Sequence, residues 1–320
     1  MSRVKLISAI VPVYKSQEIL PETHRRLSAA LSALGPDLDH EILFVNDGSP
    51  DDAMEVLRAI AASDPHVRVI SLSRNFGHQM AITAGLDEAR GDVVVTIDDD
   101  LQDPPEVIAE MVAKWREGYQ VVHGVRPTRR GETIFKRWSA SAYYRLMQWL
   151  SDTPLPLDTG DFRLMDRAVV DALNGMRESS RYVRGMVAWA GFRQYELTYV
   201  REARFSGTGN YTARRLLQLA LDGALSFSVR PLQMMTHFGL LVTVIAGVAG
   251  VWVVIENLLD AGPTPLGWTS VVVAVLFMGG VQLVSIGTLG AYLGRVFSET
   301  KGRPLYLVAE RIGDERGDRA

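Results

Sequence analysis

The chain of 320 residues contains no cysteine. This absence excludes disulfide bonds, and it excludes a thiolate as nucleophile or metal ligand. The chain also lacks a surplus of basic residues, because its 34 Lys and Arg are outnumbered by 37 Asp and Glu. Nucleic-acid binding draws on a concentration of positive charge that meets the phosphates, so we expect no nucleic-acid partner.

A third absence is local, since no lysine or arginine lies between Arg230 and Arg295. That stretch holds two apolar runs, 236–255 and 270–292, each long enough for the roughly 20 residues that cross a bilayer. Basic residues flank the pair, so the positive-inside rule predicts a hairpin whose flanking regions face the cytoplasm. A buried hairpin of a soluble protein is the competing interpretation. The preceding stretch, 213–227, is amphipathic, which fits either a membrane-interface helix or a helix packed on a core.

Upstream, short apolar runs alternate with amphipathic stretches. The runs are rich in β-branched residues, as strands buried on both faces of a parallel sheet are. We therefore predict a doubly wound α/β domain that binds ligands at the carboxyl ends of its strands. The sequence Ser49-Pro-Asp-Asp52 predicts a helix N-cap. The predicted strands are 6–13, 41–47, 67–71, 92–98 and 119–125, and the predicted helices include 51–62 and 105–117.

Three adjacent carboxylates, Asp98, Asp99 and Asp100, follow the fourth apolar run. Such neighbours repel one another unless a cation or solvent screens them. Alternate residues of an extended chain point the same way, so Asp98 and Asp100 can converge on one ion while Asp99 points elsewhere. Oxygen ligands suit Mg²⁺ or Mn²⁺, and Mg²⁺ commonly joins carboxylates to substrate phosphates. A solvated acidic turn is the alternative, and the position at the ligand edge of a sheet favours the metal site.

Two further residues are candidates for nucleotide contacts. Asp47 ends the second predicted strand and precedes a glycine turn, so it can accept hydrogen bonds from a base or a ribose, although such turns are common without a ligand. His78 is the other candidate, with a hydrogen-bonded structural histidine as the alternative.

An ordered set of motifs resembles family-2 glycosyltransferases with a GT-A fold. The resemblance is to the polyprenyl-phosphate type, which includes dolichol-phosphate mannose synthases and bacterial undecaprenyl-phosphate glucosyltransferases and aminoarabinose transferases. It extends from residue 10 to about residue 308. The motifs are Val11-Pro-Val-Tyr14, Val45-Asn-Asp-Gly-Ser49, Gly160-Asp-Phe-Arg-Leu164, the stretches 73–79, 98–105 and 201–211, and the C-terminal hairpin.

The resemblance implies a Rossmann-like GT-A domain that binds a nucleotide-sugar donor together with Mg²⁺ or Mn²⁺. It implies a metal site at Asp98, Asp100 and Gln102. The positions that it assigns to the nucleotide-sugar are Pro12, Tyr14, Asp47, Asp98 and Arg201.

At the acceptor, the resemblance implies roles for Asp161 and for Arg204, the latter at a phosphate. A phosphate monoester has its second pKa near 6, so it is largely deprotonated at neutral pH and gains little from a general base. We therefore hypothesise that Asp161 orients the acceptor or completes the site electrostatically. Two departures from the family pattern are Lys15-Ser16, where relatives have Asn-Glu, and Gly209-Asn210, where relatives have Ser-Lys.

From the residues and the family resemblance together, we predict a metal-dependent, inverting transfer of a hexose to undecaprenyl phosphate at the cytoplasmic membrane, with UDP-glucose as the favoured donor. The alternatives are mannosyl transfer from GDP-mannose, a non-catalytic protein that binds nucleotide-sugar or lipid phosphate, and a transport component that flips glycolipids. Assembly into a homo-oligomer through the membrane helices is left open. The predicted organisation is a cytoplasmic catalytic domain at 1–212, an amphipathic helix at 213–230, a two-helix transmembrane hairpin at 231–296 and a cytoplasmic tail at 297–320.

Overall fold

The computed structural model describes residues 5–125, 159–179, 181–200 and 267–313, together with scattered positions between 232 and 255. The chain forms two compact units. The first contains the N-terminal α/β domain and the residues from Arg303 onward, and the second contains the apolar region that ends at Gly302.

Strands and helices alternate through the first unit, as the apolar periodicity predicts. The described elements, in chain order, are β1 (Lys5–Val13), α1 (Leu20–Ser32), β2 (Leu38–Asn46), α2 (Ala53–Ser63), β3 (Val67–Leu72), α3 (His78–Glu88), β4 (Val93–Thr96), a 3₁₀ turn (Pro105–Val107), α4 (Ile108–Arg116), β5 (Val121–Val125), β6 (Thr159–Asp166), α5 (Arg167–Gly175), α6 (Val183–Ala190), β7 (Gln194–Thr198), α7 (Trp268–Thr300) and β8 (Val308–Ile312).

The described strands form one sheet in the order β7-β5-β6-β4-β1-β2-β3-β8. β1 to β4 are parallel to one another, whereas β6 runs antiparallel between β4 and β5, and β8 runs antiparallel to β3 at the edge. The predicted α/β domain with a central sheet is confirmed. The sheet is mixed rather than wholly parallel, because β6 and β8 enter it in the opposite direction.

Helices cover both faces of this sheet. Ile7, Ala9 and Val11 of β1 belong to the core cluster shared with α1, α2 and α4, and Ile10 belongs to the cluster shared with α3, α5 and α6. Successive strand residues point to opposite faces, so a slip of one residue would exchange the two sets. Because each fully buried aliphatic side chain contributes roughly 1.5–3 kcal/mol, the two-sided core holds the strand ends in register.

The predicted cap at Ser49 is wrong. The N-cap of α2 is Asp52, and its side chain makes no capping hydrogen bond. The Ser49 hydroxyl instead accepts a hydrogen bond from the backbone N–H of Lys15 at 2.7 Å and donates one to Asp51. The Ser49 side chain therefore joins the loops that follow β1 and β2 rather than starting a helix.

The segment predicted as a tail, 297–320, contributes β8 to the sheet of the first unit. Glu310 of β8 accepts from Arg58 at 2.6 Å, and Arg311 donates to Glu88 at 2.8 Å. Tyr306 packs against the core and donates to Asp87 at 2.7 Å. The strand is short and carries charged residues, so its composition does not distinguish it from a solvated tail.

In the second unit, α7 is long and apolar. It contains the one candidate membrane span among the described residues, Phe277–Thr300, with a mean hydropathy of 1.2 and no part buried. The predicted run 270–292 lies within α7. The other predicted run, 236–255, is described only in part, so a second membrane helix stays a prediction. The amphipathic stretch 213–230 lies outside the described residues.

Candidate active site

The acidic segment and Asp161 meet at one edge of the sheet. β4 and β6 are antiparallel, with Thr96 opposite Arg163. Two residues further along the chain from Thr96 is Asp98, and two residues back from Arg163 is Asp161, so the same antiparallel register places these two residues opposite each other. The carboxyl ends of β1, β2 and β4 therefore share an edge with the start of β6, which is where an α/β sheet binds ligands.

Asp98, Asp100 and Gln102 lie close together on the loop after β4. Asp100 accepts a hydrogen bond from the backbone N–H of Gln102 at 3.1 Å. Two buried oxygens, Oδ1 of Asp98 and Oε1 of Gln102, meet no hydrogen-bond donor within the described part of the chain. Burial raises the pKa of Asp98 to about 6; His78 opposes this shift, and the nearby carboxylates, Asp161 foremost, add to it. Buried acceptor oxygens without donors are what a cation site provides.

Asp99 turns toward the loop after β1, where its carboxylate accepts a hydrogen bond from the Ser16 hydroxyl. Burial raises the pKa of Asp99 to about 7; the Ser16 hydrogen bond opposes this shift, and the charges of Asp98 and Asp100 add to it. Asp99 thus faces a cleft of about 680 Å³, lined by 14–19, Pro50, Asp51, Asp99 and Asp100.

The residues predicted to bind the nucleotide differ in accessibility. Tyr14 lines the cleft and its side chain is 44% exposed. Pro12 is buried within β1. Arg201 and Arg204 lie outside the described residues, so their roles stay predictions.

Asp47 is buried and its two oxygens accept backbone N–H groups, from Phe76 at 2.7 Å and from Gly77 at 2.9 Å. It therefore holds the loop that leads into α3, and its predicted contact with a base or ribose stays a prediction. The adjacent Gly48 has φ +60°, and a Cβ there would lie 2.4 Å from the backbone carbonyl carbon of Arg74. Only glycine allows the loops after β2 and β3 to approach this closely.

Asp161 is surrounded by donors. Its Oδ1 accepts from Arg163 at 3.2 Å and from Arg184 Nε at 3.0 Å. Its Oδ2 accepts from Arg184 Nη2 at 3.0 Å, lies 3.1 Å from His78 Nε2, and lies 3.4 Å from the Gln79 amide nitrogen. Burial would raise the pKa of Asp161, but these hydrogen bonds and the two arginine charges hold it well below its usual range. A carboxylate bound in this way is a poor proton acceptor.

Two of these partners, His78 and Arg184, make contacts with Asp161 that the sequence motifs did not predict. His78 Nε2 lies 3.6 Å from Asp98 Oδ1 as well as 3.1 Å from Asp161, so the imidazole stands between the two carboxylates. Arg184 comes from the first turn of α6, where no motif singled it out. Arg163 lies within the Gly160–Leu164 motif and His78 within the 73–79 motif, and these two motifs were the local signals for this cluster.

A separate group of potential metal ligands, Asp39, His40 and His66, lies at the amino ends of β2 and β3. The two imidazoles stack with centroids 4.5 Å apart and planes 12° apart, and His66 Nδ1 lies 3.1 Å from Asp64. An ion lies close to the plane of each imidazole that binds it, and parallel stacked rings do not share such a position. We therefore assign this group no part in the active site.

A mixed α/β domain with carboxylates clustered at the ends of parallel strands is compatible with a GT-A-like glycosyltransferase. The model of glycosyl transferase family 2 matches residues 8–173. The chain belongs to that family.

Named relatives agree with this assignment. The "Uncharacterized glycosyltransferase YkcC" of Bacillus subtilis is 44% identical over 98% of this chain and 97% of its own length. The "Bactoprenol glucosyl transferase" of Shigella phage SfX is 39% identical over 95% of this chain and 99% of its own. The resemblance predicted from the motifs, including that to the polyprenyl-phosphate type, is confirmed. Glucosyl-3-phosphoglycerate synthase of Mycobacterium tuberculosis is a more distant solved structure, 21% identical over 69% of this chain and 79% of its own, with a TM-score of 0.44.

Proposed function

We propose that this protein transfers glucose from a nucleotide-sugar, with UDP-glucose as the favoured donor, to undecaprenyl phosphate or a related polyprenyl phosphate. The observation that carries the proposal is the 39% identity, over nearly the full length of both chains, to a bactoprenol glucosyl transferase. The site geometry is compatible with it, because one sheet edge offers both an acidic cluster and a group rich in positive charge.

Asp98, Asp100 and Gln102 would hold a Mg²⁺ or Mn²⁺ ion. The buried oxygens of Asp98 and Gln102 without donors fit this assignment. Once bound, the ion supplies positive charge that stabilises the departing nucleoside diphosphate. Tyr14 and the open cleft beside Asp99 would accommodate the nucleotide.

The reaction itself is a displacement at the anomeric carbon. A phosphate oxygen of the lipid forms a new bond to that carbon from the face opposite the leaving group, so the configuration inverts. The bond from the carbon to the diphosphate breaks, and the nucleoside diphosphate leaves with the electron pair. The acceptor oxygen carries no proton when the phosphate is a dianion, so the protein needs no general base. Asp161 would serve to hold cationic side chains in place.

The proposal includes a membrane anchor. The apolar and exposed α7 supports one membrane helix, and the run 236–255 would supply the second. The flanking basic residues favour a cytoplasmic position for the catalytic domain, 1–212, and for the C-terminal residues. The amphipathic stretch 213–230 would lie in the membrane interface. An anchor of this kind places the enzyme in the same membrane as its lipid acceptor.

Sugar transfer in membranes that contain the full-length protein tests the function. The assay supplies undecaprenyl phosphate, Mg²⁺ or Mn²⁺, and either labelled UDP-glucose or labelled GDP-mannose, with Asp100→Asn as the inactive control. We expect lipid-extractable label from UDP-glucose that disappears in the variant. Lipid-extractable label from GDP-mannose alone would mean that the transferred sugar is mannose rather than glucose. Absence of label across a broad panel of donors, with folded protein, would overturn the enzymatic proposal in favour of a binding protein.

A further inference from the structure

Two arginines contact Asp161, but only one of them also faces outward. The side chain of Arg163 is 1% exposed and that of Asp161 is 8% exposed, so this pair belongs to the interior. The side chain of Arg184 is 34% exposed. The guanidinium of Arg184 therefore has one edge on the carboxylate and another toward solvent.

The inward edge of Arg184 is fully used. Nε donates to Oδ1 and Nη2 donates to Oδ2 of Asp161, both at 3.0 Å, which is a bidentate pair. A guanidinium carries five N–H donors in a rigid plane. No described residue accepts a hydrogen bond from Nη1, so an oriented pair of N–H groups remains on the exposed side. The bidentate contact holds the plane in a single orientation.

The charge of Asp161 does not neutralise this group. Asp161 is hydrogen-bonded to two guanidinium ions, Arg163 and Arg184, and the imidazole of His78 lies 3.1 Å from Asp161 and 3.6 Å from Asp98. His78 is shared with Asp98, so the positive charge that the Asp161 carboxylate leaves unbalanced is accessible at Arg184, the more exposed of the two arginines. An anion that binds beside Arg184 completes the charge balance, and a guanidinium edge matches the oxygens of a phosphate.

We propose that Arg184 binds the phosphate of the lipid acceptor through its Nη1 edge, with Asp161 as the positioning residue that orients it. This inference rests on the proposed function. Two anionic groups take part in that reaction, the donor diphosphate and the acceptor phosphate. The diphosphate belongs beside the carboxylates that hold the metal ion, so the cationic group around Asp161 is left for the acceptor. Arg184 thereby aligns the attacking oxygen and takes no part in proton transfer.

Initial rates of glucose transfer by the full-length enzyme test the assignment, with undecaprenyl phosphate and UDP-glucose varied separately. Arg184→Gln should raise the KM for undecaprenyl phosphate about 10- to 100-fold, the value of a hydrogen bond to a charged group. Arg184→Lys, which keeps the charge and loses the fork, should give an intermediate KM. In both variants the KM for UDP-glucose should stay as in the wild type. The matched control is Arg177→Gln, because Arg177 pairs with Asp87 at 2.8 Å and is 50% exposed.

Hydrolysis of UDP-glucose without any lipid separates a lost acceptor contact from a damaged enzyme. Donor hydrolysis at the wild-type rate by Arg184→Gln, together with the raised lipid KM, supports the assignment. An increase confined to the KM for UDP-glucose overturns the assignment and means that Arg184 binds the donor. If Arg184→Gln does not fold, Arg184→Lys decides the question. A rise in its KM for undecaprenyl phosphate alone supports the assignment, and a rise in its KM for UDP-glucose alone overturns it. Failure of the wild-type enzyme to label any lipid refutes the proposed function instead, whatever Arg184 does.

Discussion

Two groups of charged side chains lie at the same edge of the sheet and have opposite character. Around Asp98, carboxylates crowd together, and burial raises its pKa to about 6 despite the nearby His78. Around Asp161, two arginines and a histidine hold the pKa of the carboxylate well below its usual range, against the effect of burial. The same residue type is thus short of positive charge in one group and surrounded by it in the other. The first group suits a cation and the second suits an anion.

Replacing Asp98 should have the largest effect on activity. Asp98→Asn removes a proposed metal ligand, and we expect glucose transfer to fall about 100- to 1,000-fold, the usual effect of losing one electrostatic contact to a developing charge. Because the ionised form of Asp98 is disfavoured in the folded protein, the same substitution should leave the free energy of unfolding of the metal-free protein unchanged or higher. Transfer assays and urea unfolding measure the two effects. Near-normal transfer would remove Asp98 from the metal site.

Replacing Asp161 should lower the stability of the protein, in contrast to replacing Asp98. Asp161→Asn leaves Arg163 buried without its carboxylate, and we expect the free energy of unfolding to fall by about 3 kcal/mol, as for other broken buried pairs. Transfer should also fall at least about 10-fold, since Arg184 loses the contact that orients it. Urea unfolding of Asp98→Asn and Asp161→Asn side by side makes the comparison direct. Equal stability of the two variants, or near-normal turnover of Asp161→Asn, would contradict the anchoring role.

The carboxylates of the first group could be predicted from local sequence signals, whereas the contacts that join the second group could not. Asp98 and Asp100 follow an apolar run, and the run, the strand end and the ligand edge are all local signals. Asp161 was predicted only through the family resemblance, and its partners come from distant parts of the chain. Arg184 lies on α6 and His78 lies on α3, and they meet Asp161 because β6 enters the sheet antiparallel to β4. No periodicity in the sequence specifies that direction.

The fold shows the same division. The five strands of the first half are apolar runs, and each is present in the structure with shifted ends, such as Leu38–Asn46 for the predicted 41–47. β8 was not predicted, because its stabilising contacts, such as that of Arg58 with Glu310, join residues far apart in the chain. A short charged strand at a sheet edge has the composition of a solvated tail.

Buried His123, beside Arg163, should make the stability of the protein depend on pH. His123 is 2% exposed and is the register partner of Arg163. Burial and the charge of Arg163 lower the pKa of His123 to about 4, although a hydrogen bond with Gln194 opposes this shift. The unfolded chain therefore binds the proton more tightly, and the stability contributed by neutral His123 is present above pH 6.5 and is lost as the pH falls toward 4.

We expect this loss to reach roughly 2.5 kcal/mol by pH 4.5, from the size of the pKa difference. Urea unfolding of wild type and His123→Gln between pH 7.5 and pH 4.5 measures it as the change in their stability difference. A difference that stays constant across this range would show that burial and the charge of Arg163 together do not disfavour a proton on His123.

The smallest effect is expected at His78, which lies between the two groups. Its imidazole contacts Asp161 at 3.1 Å and Asp98 at 3.6 Å, but the side chain is 44% exposed, so solvent screens its charge. His78→Gln should lower the turnover number about 3- to 10-fold, since glutamine keeps a donor for Asp161 and loses the charge. The matched control is His24→Gln, which alters a histidine–carboxylate contact of 2.8 Å to Asp64. An effect no larger than that of His24→Gln would mean that the cationic and anionic groups act independently. An effect larger than that of Asp161→Asn would make His78, rather than Asp161, the residue that joins them.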